Sequence, residues 1–126
     1  IRVLLMNLNL LVANPQETTM SYPGNMEEKT VVIQTKLGQL RGAVKHSVLN
    51  DRDYYAFQGI PYGKPPLGEL RFKAPRPFGG WEGIRDALVD GNDPLQPSFA
   101  SMAFEVVETE GSEDCLYLNI YTNEVL

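Results

Sequence analysis

The chain has 126 residues, a formal net charge of −5, 43% hydrophobic residues and 21% charged residues, enough for one small soluble domain and too little for two. Its acidic balance, with no Lys/Arg cluster, argues against a nucleic-acid partner and against an anionic membrane surface. Cys115 is the single cysteine, so no intrachain disulfide can form.

Residues 1–13 (IRVLLMNLNLLVA) are apolar, interrupted by Asn7 and Asn9, and too short for a bilayer span, which needs roughly 20 apolar residues. They read as a truncated signal remnant or a gene-model artefact. Residues 14–29 are polar, carry Pro15, Pro23 and Gly24, and read as a linker or disordered leader. Residues 1–29 are therefore set apart from a folded segment over 30–126.

Residues 30–35 (TVVIQT) are β-branched and read as a strand, and residues 40–46 (LRGAVKH) as a second. Gly38 between them suits a tight hairpin turn. Residues 47–53 form the next turn, with Asn50 and Asp51 at its tip. Residues 54–62 (YYAFQGIPY) are a third strand, ending where Pro61 interrupts pairing. Residues 63–83 hold Pro65, Pro66, Pro75 and Pro77 among glycines, which forbids a regular helix or central strand. Arg71, Phe72, Phe78 and Trp81 offer packing groups at intervals, so the segment is expected to be ordered but irregular. Residues 98–108 could form a short helix capped by Ser98. Residues 116–121 (LYLNIY) alternate as a fourth strand whose apolar side chains want cover.

Three stretches of this sequence, FQGIPYGKPPLGELRFKAPRP (57–77), Trp81 after it, and SEDCLYLNIY (112–121), resemble the type-B carboxylesterase and cholinesterase family in order and spacing. The hairpin GQLRG (38–42) fits the family's opening strands, and the whole looks most like insect esterases. The resemblance covers about residues 30–126. It implies an α/β-hydrolase fold, a large twisted sheet with helices on both faces. This chain would supply only the N-terminal, mostly antiparallel strands of that fold and the proline-rich connector.

Ester hydrolysis in that fold needs a serine in a G-x-S-x-G elbow, a glycine-rich oxyanion loop and a histidine. No G-x-S-x-G occurs in the chain. His46, the only histidine, ends a predicted strand and reads as a solvated strand-end residue. No catalytic, cofactor-binding or metal-ligating residue is assigned, and no cofactor is expected. Glu113 and Asp114 are adjacent, so on a strand they would face opposite ways and form no carboxylate dyad.

The resemblance assigns structural roles instead. It pairs Glu113 with Arg71, tying the proline-rich loop to the strand end through a guanidinium–carboxylate contact. Trp81 is expected to pack under that loop. Many secreted members pair the cysteine matching Cys115 with one in an upstream C-x-Q segment, but here Pro94 stands in that place. Cys115 is then expected to be a buried free thiol. With the absence of any Asn-x-Ser/Thr acceptor, this favours a cytoplasmic location, secretion being the alternative. Cholinesterases carry a tryptophan for the choline cation upstream of SEDCLYLN, and residues 94–112 contain none.

The expected function is thus the N-terminal part of a serine carboxylesterase acting on small-molecule esters, with its Ser-His-Glu/Asp triad beyond residue 126 and this chain alone inactive. The alternatives are a non-catalytic adhesion or binding relative on the same scaffold and a stand-alone small β binding module. Oligomeric state is not legible.

Overall fold

The computed structural model of the chain describes residues 16–20, 28–98, 101 and 107–124. The described residues form eight strands: β1 (Gln16–Met20), β2 (Glu28–Thr35), β3 (Gly38–Ser47), β4 (Arg52–Pro61), β5 (Ile84–Asp86), β6 (Gln96–Pro97), β7 (Thr109–Glu110) and β8 (Tyr117–Thr122). One sheet has the order β1-β2-β3-β4-β8, with β5 also paired to β3, while β6 and β7 pair separately. No helix among the described residues is long and apolar enough to cross a membrane.

The chain divides into two compact units. The first takes its described residues from the stretches up to Phe57, from Gly80–Leu88 and from Ile120 onward. Its centre is the β2–β3 hairpin, in antiparallel register from Thr30↔Ala43 to Thr35↔Gly38. Lys36 and Leu37 form the connection, shorter than the four residues the sequence suggests, because Gly38 already belongs to β3. The Thr35 hydroxyl fixes this turn by donating to Gly38 O at 2.7 Å and accepting the Leu37 N–H at 3.1 Å.

The second edge of β3 is shared. β4 pairs antiparallel with its later half, from Ala43↔Ala56 to Ser47↔Arg52. β5 pairs parallel with its earlier half, Gln39↔Ile84 to Arg41↔Asp86. Arg41 Nη1 donates to Asp86 Oδ1 at 2.7 Å across that parallel register. The core of this unit is Val31, Ile33, Leu40, Ala43, Ala56, Phe57 and Ala87, all at most 5% exposed. Full burial of a side chain such as Val31 contributes about 1.5–3 kcal/mol. Gly42 leaves room for the Phe57 ring: a Cβ there would lie 2.5 Å from Cδ1 of the ring.

The second unit comprises Gln58–Gly79 and Val89–Asn119. Its proline-rich segment is ordered, with a 3-10 turn at Gly68–Leu70 and an isolated bridge between Gly63 and Pro77. Main-chain hydrogen bonds close the loop on itself: Lys64 N–H to Arg76 O at 2.8 Å and Phe78 N–H to Tyr62 O at 3.3 Å. The Tyr62 N–H donates to Leu116 O at 3.1 Å, joining the loop's start to the approach of β8.

Several expectations change. Gln16–Met20 is a strand paired to β2, not linker, since an extended polar run with two threonines can satisfy a neighbouring strand's open backbone. β5 was not anticipated, because three residues carry too little periodicity to announce a strand. The helix expected over 98–108 lies largely outside the described residues. At its start the Ser101 N–H donates to Ser98 Oγ at 3.1 Å, the bond a capping serine accepts. The expected fourth strand begins one residue later than its pattern, at Tyr117, and Ile120 is 41% exposed.

Candidate functional site

Of the residues singled out by sequence, Arg71, Glu113 and Cys115 gather in the second unit around the turn that precedes β8, while Trp81 lies in the first. Arg71 follows the 3-10 turn, and its Nη2 lies 2.6 Å from Glu113 Oε1. Its guanidinium carbon also sits 5.3 Å from the centroid of the Phe72 ring. Phe72 is 95% exposed and adopts φ 59, a backbone region costly for a bulky residue.

Glu113 and Asp114 lie in a bend before β8 rather than on the strand itself. Their side chains nonetheless have separate partners. Glu113 meets Arg71, while Asp114 Oδ2 accepts the Tyr117 hydroxyl at 3.0 Å. The bend is held by the Asp114 N–H to Ser112 Oγ at 3.1 Å, the Ser112 N–H to Asp93 O at 2.8 Å and Asn92 Nδ2 to Asp114 O at 3.1 Å. This arrangement fastens backbone and presents no pair of carboxylates to a common substrate atom.

Cys115 is free and only half-buried, a correction to the buried thiol expected from its place at the head of an apolar strand. It stands outside the β8 ladder, which begins two residues later. There it lines an open depression of about 300 Å³ with Pro66, Arg71, Phe72, Leu95, Ser112 and Glu113. Pro94 forms an isolated parallel bridge with Ser112.

Trp81 belongs to the first unit and lies on the β2–β3 turn. Its indole N–H donates to Gln39 O at 2.8 Å and its main-chain N–H to Leu37 O at 2.7 Å. A Cβ at Gly38 would meet the indole nitrogen at 2.5 Å, so the ring rests directly on the hairpin backbone. Arg85 stacks over the same ring at 5.8 Å.

His46 sits at the exposed β3–β4 tip. Its Nδ1 is 2.8 Å from Asp53 Oδ1 and its Nε2 is 3.2 Å from Asp51 Oδ1. A triad histidine needs one nitrogen turned to a carboxylate and the other to the nucleophile. Here both face carboxylates, so neither is aimed at a serine. Among the described residues no group of three or more His, Cys, Asp or Glu could hold a metal ion.

One cluster escaped the sequence reading. Asp90 Oδ1 accepts from Gln58 Nε2 at 2.8 Å and from Asn119 Nδ2 at 2.6 Å, while Asn119 Oδ1 accepts the Gly59 N–H at 2.8 Å. Gln58 and Asn119 stand inside the two stretches quoted above, but Asp90 belongs to no motif, and nothing local marks it.

Comparison with known proteins decides what this scaffold is. A sequence profile of the carboxylesterase family matches residues 29–125. The chain belongs to the carboxylesterase family. Juvenile hormone esterase of Tribolium castaneum is 43% identical over 90 residues, covering 71% of this chain and 15% of the relative. Acetylcholinesterase of Leptinotarsa decemlineata is 37% identical over 121 residues, covering 89% of this chain and 19% of the relative. Among solved structures, a PNB esterase superposes with a TM-score of 0.55 at 36% identity over 71% of this chain and 16% of its own. The carboxylesterase EST55 of Geobacillus stearothermophilus gives 0.53 at 38% identity, again over 71% of this chain and 16% of its own. The chain spans less than a fifth of the length of these relatives. Its fold is the N-terminal, mostly antiparallel portion of an α/β hydrolase.

Proposed function

We propose that this chain is the N-terminal scaffold of a serine carboxylesterase whose Ser-His-Glu/Asp triad lies in sequence beyond residue 126. The observation that supports this most is the family match over residues 29–125. The chemistry present agrees with a scaffolding role. The 126 residues contain no G-x-S-x-G elbow, and both nitrogens of the only histidine face carboxylates. The chain alone is therefore inactive toward esters. Residues 30–126 form part of a larger hydrolase domain. Within it, Arg71 and Glu113 tie the proline-rich loop to the approach of β8, Trp81 fastens the β2–β3 turn, and Cys115 is a structural thiol.

The substrate is a carboxylic ester with apolar groups rather than a choline ester, because residues 94–112 hold no tryptophan to face a quaternary ammonium. The test is to extend the coding sequence past Leu126 and express both lengths. The longer protein should hydrolyse p-nitrophenyl butyrate and be labelled once per chain by a fluorophosphonate, while residues 1–126 should do neither. A longer protein without the serine elbow, or with the elbow and no labelling, would instead support a non-catalytic relative. A soluble, monomeric, cooperatively unfolding segment 26–126 would favour a stand-alone binding module.

The relatives lend no support to the cytoplasmic expectation, and secretion stands beside it. Following the tagged longer protein between medium and lysate distinguishes the two.

A further inference from the structure

β2 carries a hazard that its neighbour answers. Residues 30–35 (TVVIQT) are uncharged, free of proline and glycine, and β-branched at five of six positions, as the sequence stands. Six-residue runs of that kind are the signature of strands that pair with copies of themselves when an edge is open. β3 satisfies one side of β2, from Thr30↔Ala43 to Thr35↔Gly38. On the other side, residues 28–32 pair with β1, from Met20↔Glu28 to Gln16↔Val32. β1 lies wholly before the family match, which begins at residue 29. Its sequence, QETTM, is five residues long, carries a charge and contains no Val, Ile, Leu or aromatic residue. A short polar strand is a poorer template for association than the run it pairs with.

We propose that Gln16–Met20 is a built-in edge cover, which keeps β2 from pairing antiparallel with β2 of a second copy of this chain. The assembly it prevents is a self-complementary one, since each copy would offer the same edge to the other. The proposal does not depend on the catalytic reading, because it concerns only the first unit's backbone.

The test uses the longer protein carrying Thr18→Pro and Thr19→Pro together, T18P/T19P: adjacent amides of a strand point to opposite sides, so one of the two lost donors faces β2. Hydrogen exchange is followed in a peptide spanning residues 28–35, and mass by size-exclusion chromatography with light scattering. In the parent protein, amides of both alternating sets over residues 28–32 should be protected. In T18P/T19P, at a dilution where the protein is monomeric, the set facing β1 should exchange roughly 100-fold faster or more, and at higher concentration a dimer or larger species should form. Adding Gln34→Lys, a charge at an exposed position on β2, should return T18P/T19P to the parent's mass without restoring slow exchange. The proposal is overturned if only one alternating set is protected in the parent. Unchanged exchange in T18P/T19P, or faster exchange with unchanged mass, also overturns it.

Discussion

We predict that breaking the Arg71–Glu113 pair lowers stability and leaves chemistry nearly intact. The contact is charge-assisted and short, 2.6 Å, with side-chain exposures of 57% for Arg71 and 33% for Glu113. Exposed ion pairs contribute about 0.2–1 kcal/mol, and hydrogen bonds to charged groups about 1.5–3 kcal/mol. A carboxylate two-thirds covered, facing a guanidinium more than half in solvent, belongs between those ranges, at about 1 kcal/mol of coupling. Arg71→Met keeps the side chain's length and removes the charge. It also forfeits the stacking over Phe72, about 0.5 kcal/mol at an exposed site. The single substitution should therefore cost about 1.5–2 kcal/mol, a fall in Tm of about 1–2 °C in a protein several times the length of this chain, at fixed scan rate. A double-mutant cycle with Glu113→Gln isolates the pair, and the cycle should return about 1 kcal/mol. The rate of the chemical step, read from the pre-steady-state burst, should change less than about threefold in each variant by the criterion that one tenfold step is about 1.4 kcal/mol. Unchanged thermal stability together with a collapse of that burst would refute the structural assignment and place Arg71 in the reaction.

Three further outcomes follow from the packing and hydrogen bonds. Asp90→Ala removes the acceptor of the bonds from Gln58 Nε2 and Asn119 Nδ2, Gln58 being only 8% exposed, and should cost about 1–3 kcal/mol by denaturant unfolding, whereas Asp90→Asn should recover part of it. Gly42→Ala places a methyl group against the Phe57 ring and should cost about 1–3 kcal/mol, partly relieved by Phe57→Leu in the same chain. Trp81→Phe removes the indole donor to Gln39 O and should cost about 0.5–1.5 kcal/mol, with faster amide exchange confined to the β2–β3 turn.

What the sequence disclosed and what it withheld divide along physical lines. The hairpin over residues 30–46 is legible because TVVIQT and LRGAVKH flank a glycine whose φ of 144 suits a turn, and such pairing is local. The irregular order of residues 63–83 is legible because proline and glycine exclude the alternatives while Arg71 and Phe78 promise contacts. β5 was hidden because its parallel partner on β3 lies more than forty positions earlier and its three residues show no alternation. The Asp90 cluster was hidden for a related reason: Gln58, Asp90 and Asn119 converge only after the chain has folded. The exposure of Cys115 was misjudged because apolar neighbours in sequence were taken for cover in space. The strand it was assigned to starts past it, at Tyr117. The family itself was readable from two stretches, 57–77 and 112–121, whose side chains fasten loops.

The divided edge of β3 has a consequence for the growing chain. β2, β3 and β4 can pair as soon as Pro61 has left the ribosome, and hairpins of this kind form in about 1–10 μs. The earlier half of β3, Gln39 to Arg41, has no partner on that edge until Ile84–Asp86 emerges. At about 5–20 residues per second, synthesis of residues 62–86 takes roughly 1–5 s. Throughout that interval a nascent three-stranded meander holds an open main-chain edge beside Leu40. That interval is where a holding chaperone would find its substrate, and slow codons within residues 63–83 would lengthen it.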